Sequence, residues 1–299
     1  MNETLTTKKI FFFIVNPTSG NGKSKNIFPE IEEYLRKNNI SFQSVYTEYK
    51  GHAVKLAEEI SRNEQVKAIV AVGGDGTLSE VINGAFPTDI PIGYIPTGTG
   101  NDFARSMGIP REPIEAMKYI LKMGIKNIDI GKINGHFFAN VASMGFDAEV
   151  ANYVNHTKLK NYLGKVVYVL GVIKALWTFK PKKLHLTIDG KDYFFDKVWL
   201  VAFANNKYYG GGMMISPNSV NDDGMLDIVL VNNLTRIKLL KLFPTIFKGK
   251  HINYSQVTVL KGKNIKVIAD EKYIVQTDGE ILTDVELTFS VIKKGLKIS

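Results

Sequence analysis

The chain has 299 residues, 44% of them hydrophobic and 22% charged, which excludes a low-complexity or disordered polymer and suits two globular domains. It contains no cysteine, so a disulfide framework, a thiol nucleophile and a cysteine metal site are excluded. The formal net charge of +9 points toward polyanionic partners: nucleic acid, an anionic membrane surface or a phosphorylated substrate.

The first apolar run, "IFFFIV" at 10–15, follows Lys8 and Lys9 but ends after six residues at Asn16-Pro17. That is too short for the apolar core of a signal peptide and reads as a buried strand. Downstream, short apolar runs alternate with helical patterns. Strands are expected at 41–47, 66–72 and 91–96, and helices at 27–38, 52–63, 77–86, 101–107 and 112–123. This order predicts a Rossmann-like α/β domain over 1–127, a parallel sheet with helices on both faces. The Val- and Ile-rich strands suit a sheet covered on both sides.

After about residue 127 the pattern changes. Asn134-Gly135 and Asp189-Gly190 each separate two apolar runs, as in tight hairpins. With further strand candidates up to "VELTFSVI", they predict an antiparallel all-β sandwich over 128–290, with residues 291–299 packing back on the first domain. Helical stretches are expected near 159–178 and 235–248. The apolar run 162–179 carries Lys165 and Lys174 and falls short of the roughly 20 residues a membrane span needs.

Three loops each follow a first-domain strand, where ligands of open α/β sheets bind. "NPTSGNGKSK" (16–25) nearly matches a Walker A loop, but its leading glycine is replaced by Pro17, which has no N–H to offer a phosphate. "GGDGT" (73–77) joins a strand to a helix N-terminus, a site suited to phosphate, yet it contains Asp75. "PTGTGNDFA" (96–104) repeats the arrangement with Asp102. A carboxylate in a phosphate loop can cap the helix, organise a hydrated Mg²⁺, or orient an acceptor hydroxyl.

"NPTSG", "GGDGTLSEV" and "PTGTGNDFA", in this order and followed by a β-rich half, resemble the diacylglycerol kinase catalytic family. That family is distantly similar to NAD kinases and phosphofructokinases. The resemblance implies an ATP cleft between the two domains and transfer of the γ-phosphoryl group from ATP to a lipid hydroxyl. Diacylglycerol is the leading acceptor; a sphingoid base, ceramide, phosphatidylglycerol, an isoprenoid alcohol or a soluble acceptor stay open. It implies nucleotide contacts at Asn16, Pro17, Thr18, Ser19, Gly20, Thr47, Gly74, Asp75, Gly76, Thr77, Leu78, Ser79, Glu80 and Thr99. It implies Mg²⁺ as cofactor, organised through water by Asp75 and Asp102. Glu280 of "QTDGEIL" matches the family's general base, although Asp278-Gly279 also reads as a hairpin turn. Asp223, with the carbonyls of Val220 and Met225, matches ligands of a second, structural Mg²⁺; the same Asp222-Asp223-Gly224 also reads as an exposed acidic turn. One departure is Ser79, where the family often has Asn.

The implied partners are ATP and a lipid at the membrane surface, and the implied location is the cytoplasm, with transient association to the inner leaflet. The lysine- and aromatic-rich segment 155–183 is either an interfacial helix or one packed on the β domain. A homodimer through an edge strand stays open. Nucleic acid is not expected, for want of a helix-turn-helix, an RNP-like motif or a zinc site.

Overall fold

The computed structural model describes residues 9–122, 124–156, 165–268, 273–278, 280–284 and 286–299. The chain divides into two compact units. One runs to Ile128 and includes the C-terminal Lys294–Ser299; the other is Asp129–Lys293.

The first unit alternates β1 (Ile10–Val15), α1 (Ser19–Lys37), β2 (Phe42–Tyr46), α2 (His52–Ser61), β3 (Val66–Gly73), α3 (Asp75–Ala85) and β4 (Ile92–Pro96), then α4 (Asp102–Met107) and α5 (Pro113–Lys122). The strands are parallel, in the order β2-β1-β3-β4. The last strand of the chain, β15 (Leu287–Ile298), adds its end beside β4, pairing Ile298 with Ile92. β1, β3 and β4 are buried almost without interruption, as strands covered on both faces must be; β2, at the edge, is half-exposed. From β1 the chain steps one way to β2, then back past β1 to β3 and β4. Right-handed crossovers therefore put α1 on one face and α2 and α3 on the other. The strand order reverses between β1 and β3, and the loops that leave those two strands open at the same end of the sheet.

α1 begins as a loop. Gly20, Asn21 and Gly22 are all left-handed (φ 60°, 58° and 87°), and only then does a right-handed helix run on to Lys37. The helical pattern read from residue 27 thus starts earlier, and Pro29 lies inside it.

The second unit contains β5 (Lys126–Ile133), which crosses into it, β6 (His136–Phe138), β7 (Val141–Gly145), α6 (Phe146–His156), α7 (Lys165–Thr178), β8 (Lys182–Ile188) and β9 (Lys191–Ala204). After these come β10 (Leu226–Asn232), α8 (Arg236–Leu242), two 3₁₀ turns, β11 (Val257–Gly262), β12 (Asn264–Ile268), β13 (Tyr273–Thr277), β14 (Glu280–Asp284) and the start of β15. The described pairings within it are antiparallel. β9 is the hub. Its first half pairs with β8, and its second half lies between β7 and β10.

Alternation along the strands builds two cores. Val201 and Phe203 of β9, with Ile228 and Leu230 of β10, join a cluster with Met144, Leu186, Ile265 and Phe289. Ala202, Ala204 and Val229 face the opposite cluster, where Phe146 of α6, Ala175 and Leu176 of α7, and Leu239 and Leu242 of α8 cover the sheet. Each fully buried Phe or Ile here contributes about 1.5–3 kcal/mol. α6 was not foreseen; its sequence sits inside a stretch that otherwise reads as strands. Of the segment 155–183, residues 157–164 lie outside the described residues; Ala175 and Leu176 pack inward while Lys174 and Trp177 are exposed. Among the described residues no helix is long and apolar enough to cross a membrane.

Candidate active site

Three loops of the first unit meet at the strand reversal, and hydrogen bonds between them fix their shape. The Asn16 amide continues the ladder by donating to the Val72 carbonyl at 3.0 Å. Its side-chain Nδ2 donates to Thr77 Oγ1 at 3.0 Å, and its Oδ1 accepts from the Thr18 N–H at 3.1 Å. One asparagine thus ties the first loop to the start of α3.

Gly20 has a positive φ and lies against the Thr97 carbonyl so closely that a Cβ would collide with it. Gly74 and Gly98 also meet face to face: a Cβ on Gly98 would stand 2.5 Å from Gly74 Cα. Thr97 is the knot. It is buried, donates its N–H to the Gly73 carbonyl at 2.8 Å, and its hydroxyl lies 2.5 Å from Ser24 Oγ and 3.4 Å from Ser19 Oγ. A Cβ at Gly76 would meet nothing within 4 Å, so the first turn of α3 is open on that side. An open helix N-terminus, with its free amides and positive dipole end, favours phosphate.

Asp75 does not point its carboxylate to the front of its own loop. Oδ1 accepts the Phe103 N–H at 3.0 Å, at the start of α4, so Asp75 ties the second loop to the third. Burial pushes its pKa up, and the Phe103, Asp102 and Asn101 amides pull it down only in part. Asp102, in the first turn of α4, is 4% exposed. The Tyr94 phenol lies among these groups; burial raises its pKa well above the usual value, and then Asp75 and Asp102 add to the rise. Its hydroxyl donates to Asn101 Oδ1 at 3.2 Å. The sequence reading missed Tyr94, Thr97 and Asn101; the adjoining "PTGTGND" was the available pointer.

The other expected nucleotide positions are placed as follows. Thr47 follows β2 and donates its N–H to the Val15 carbonyl at 2.9 Å. Thr18 and Thr99 are exposed, and Pro17 and Ser19 partly so. The side chains of Leu78 and Ser79 are buried. Glu80 turns away from the glycines. Its carboxylate accepts the Gly51 and Ala53 amides at 2.9 and 3.2 Å, capping α2.

In the second unit Glu280 opens β14, opposite Thr277 in the register. Just before it, Asp278 is left-handed (φ 46°) and its carboxylate receives the amides of Ala139 (2.8 Å), Asn140 (3.2 Å) and Val141 (3.0 Å). Nearby, Gln276 Nε2 donates to Ser143 Oγ at 2.9 Å, and Ser143 donates to Asp147 Oδ2 at 2.5 Å. Asp147 was also missed; Gly145-Phe146-Asp147, closing a strand and opening a helix, was the one local indication.

The two metal expectations fare differently as chemistry. Asp75 and Asp102 are hard oxygen donors with no third metal-binding side chain; among the described residues no cluster of three such side chains exists. That fits a cation held chiefly by water and phosphate, the habit of Mg²⁺. Asp223 fits poorly, because its Oδ2 already lies 2.9 Å from Lys261 Nζ and its Oδ1 accepts the Met225 N–H at 2.9 Å. Val220 is exposed and Met225 partly so.

Comparison with known proteins agrees with this arrangement. Residues 10–133 match the family described as diacylglycerol kinase catalytic domain, and residues 140–299 match the YegS C-terminal NAD kinase beta sandwich-like domain. A protein of Bacillus subtilis (strain 168) named diacylglycerol kinase is 33% identical over 270 residues, 89% of this chain and 88% of its own. A Mycobacterium tuberculosis (strain H37Rv) protein of the same name is 34% identical over 237 residues, covering 77% and 76%. A crystal structure of a diacylglycerol kinase from Bacillus anthracis strain Sterne superposes with a TM-score of 0.75 at 28% identity, covering 98% of this chain and 97% of that one. With the glycine loops and the β-rich unit both matched in order along the chain, this protein belongs to the diacylglycerol kinase catalytic family.

Proposed function

We propose that this kinase transfers the γ-phosphoryl group of ATP to the hydroxyl of a lipid, diacylglycerol first, giving phosphatidic acid. The observation that carries the reading is the mutual contact of Gly20, Gly74, Thr97 and Gly98, which packs three loop backbones together beside the open N-terminus of α3. Phosphoryl transfer asks mainly for alignment and charge neutralisation, which such a cradle of amides supplies. Asn16, Thr18, Ser19, Thr47 and Thr99 would complete the nucleotide contacts. Asp75 and Asp102 would hold, through water, the divalent cation that spreads the charge of the transferred group when bound. Glu280 would accept the proton of the attacking hydroxyl.

The test is transfer of labelled phosphate from ATP to a panel of lipids in mixed micelles: diacylglycerol, a sphingoid base, ceramide, phosphatidylglycerol and an isoprenoid alcohol. Labelling of diacylglycerol ahead of the others, lowered about 10²–10⁴-fold by Glu280→Ala, is expected. Labelling of none of these lipids would overturn it.

A lipid acceptor must be met at a bilayer, and one surface of the second unit suits that task. α8 and the turns after it, residues 232–256, hold Arg236, Lys238, Lys241, Lys248 and Lys250 and no acidic residue. Ile237, Leu240 and Phe247 are exposed there at 68%, 48% and 48%. The Arg236 guanidinium donates to the Leu176 carbonyl, which brings the exposed Trp177 alongside. Cations interleaved with exposed apolar groups fit an anionic bilayer surface. Flotation with anionic vesicles should recover the protein and lose the paired variant Ile237→Ser/Leu240→Ser; equal recovery of both would sink the docking role.

A further inference from the structure

We infer that Lys261 is the fixed counter-cation of the 219–227 turn and occupies the charge position that the family resemblance gives to a structural metal. The inference concerns the second unit alone and does not depend on the acceptor.

Register comes first. β10 and β11 are antiparallel, with Asp227 directly opposite Lys261. Directly opposed residues have their Cβ atoms about 4.5–5.5 Å apart, so sheet pairing sets the base of the lysine beside Asp227. From there its ammonium lies 2.9 Å from Asp223 Oδ2 and 3.6 Å from Asp227 Oδ1. It bridges Asp223 of the turn and Asp227 at the start of β10.

The remaining oxygens are also engaged. Asp223 Oδ1 accepts the Met225 N–H at 2.9 Å, and Asp227 Oδ2 accepts the Ser219 hydroxyl at 2.8 Å. All four carboxylate oxygens therefore have a partner; the Asp227 side chain is 3% exposed and that of Lys261 41%.

Backbone hydrogen bonds to Asp129 also shape the turn. Buried Asp129 of β5 receives the Gly224 N–H at 2.6 Å and gives its own N–H to the Asn221 carbonyl at 2.7 Å. A divalent ion entering beside Asp223 would have to displace an ammonium or stand next to it. Like charges at such range repel, and Mg²⁺ in particular requires near-octahedral oxygen ligands.

The experiment is the melting of the nucleotide-free protein in EDTA and in millimolar magnesium. The wild type is expected to melt at the same temperature in both. Lys261→Met should melt roughly 2–4 °C lower in EDTA. In the double variant with Asp223→Asn the two losses should fall short of adding, because they share one interaction. A magnesium-dependent rise in the wild type that Asp223→Asn abolishes would overturn the inference. So would Lys261→Met melting like the wild type in EDTA. Should Asp223→Asn fail to fold, Asp223→Ser, which also removes the carboxylate, takes its place.

Discussion

Asp75 in the first unit and Asp278 in the second are both aspartates beside a glycine, just past the end of a strand. Both spend their carboxylates on backbone amides far along the chain. Asp75 takes the Phe103 N–H at the start of α4; Asp278 takes three amides, from Ala139 to Val141, where β7 begins. The surroundings differ. Asp75 sits with Asp102 and the Tyr94 phenol, and burial leaves its pKa raised despite the amides. Asp278 joins a turn to the strand its own hairpin pairs with. One device therefore serves two ends. In the second unit it closes a hairpin onto its neighbour, while in the first it brings a carboxylate into a glycine loop and keeps it there.

The pair can be broken separately. Asp75→Ala should abolish phosphoryl transfer and also cost about 1–3 kcal/mol, since the Phe103 amide loses its acceptor in a partly buried place. Asp278→Ala should cost more stability, because three amides are left together, and less activity per folded molecule. Denaturant unfolding alongside a lipid kinase assay checks both. An Asp75→Ala protein that is fully active, or as stable as the wild type, would show that the link to α4 has no consequence.

How much of this was readable follows from distance along the chain. The strands β1, β3 and β4 lie within a residue or so of their apolar runs, because continuous burial leaves a continuous apolar sequence. The hairpins at Asn134-Gly135 and Asp189-Gly190 were readable too, since two positive φ values in succession (44° and 98°, 47° and 83°) select those residues. The candidate site was legible as three loops but not as one object. Asn16 to Thr77 spans 61 residues, Ser24 to Thr97 spans 73, and Asp75 to Phe103 spans 28. No local pattern encodes which amide a carboxylate will find. Glu80 shows the hazard: its place in the signature suggested nucleotide, and its oxygens cap α2. Asp223 shows it again, with its ammonium partner 38 residues away on β11.

The smallest expected effect is in the second unit, where Asp147 extends the comparison to a carboxylate bound by hydroxyls. Burial raises its pKa above the usual value; the Ser143 and Tyr209 hydroxyls and the amides at the start of α6 lower it only in part. Its contribution to stability is therefore present in full below the unfolded-state value of about 3.9 and is lost as pH rises through the higher folded value. Asp147→Asn removes the ionisation, and its amide oxygen can still accept from Ser143. The melting temperature of the variant minus that of the wild type should thus grow as pH is raised from about 4 to about 7. A difference that stays flat over that range would mean that Asp147 ionises alike in the folded and unfolded chain. Its environment would then be no drier than that of an exposed carboxylate.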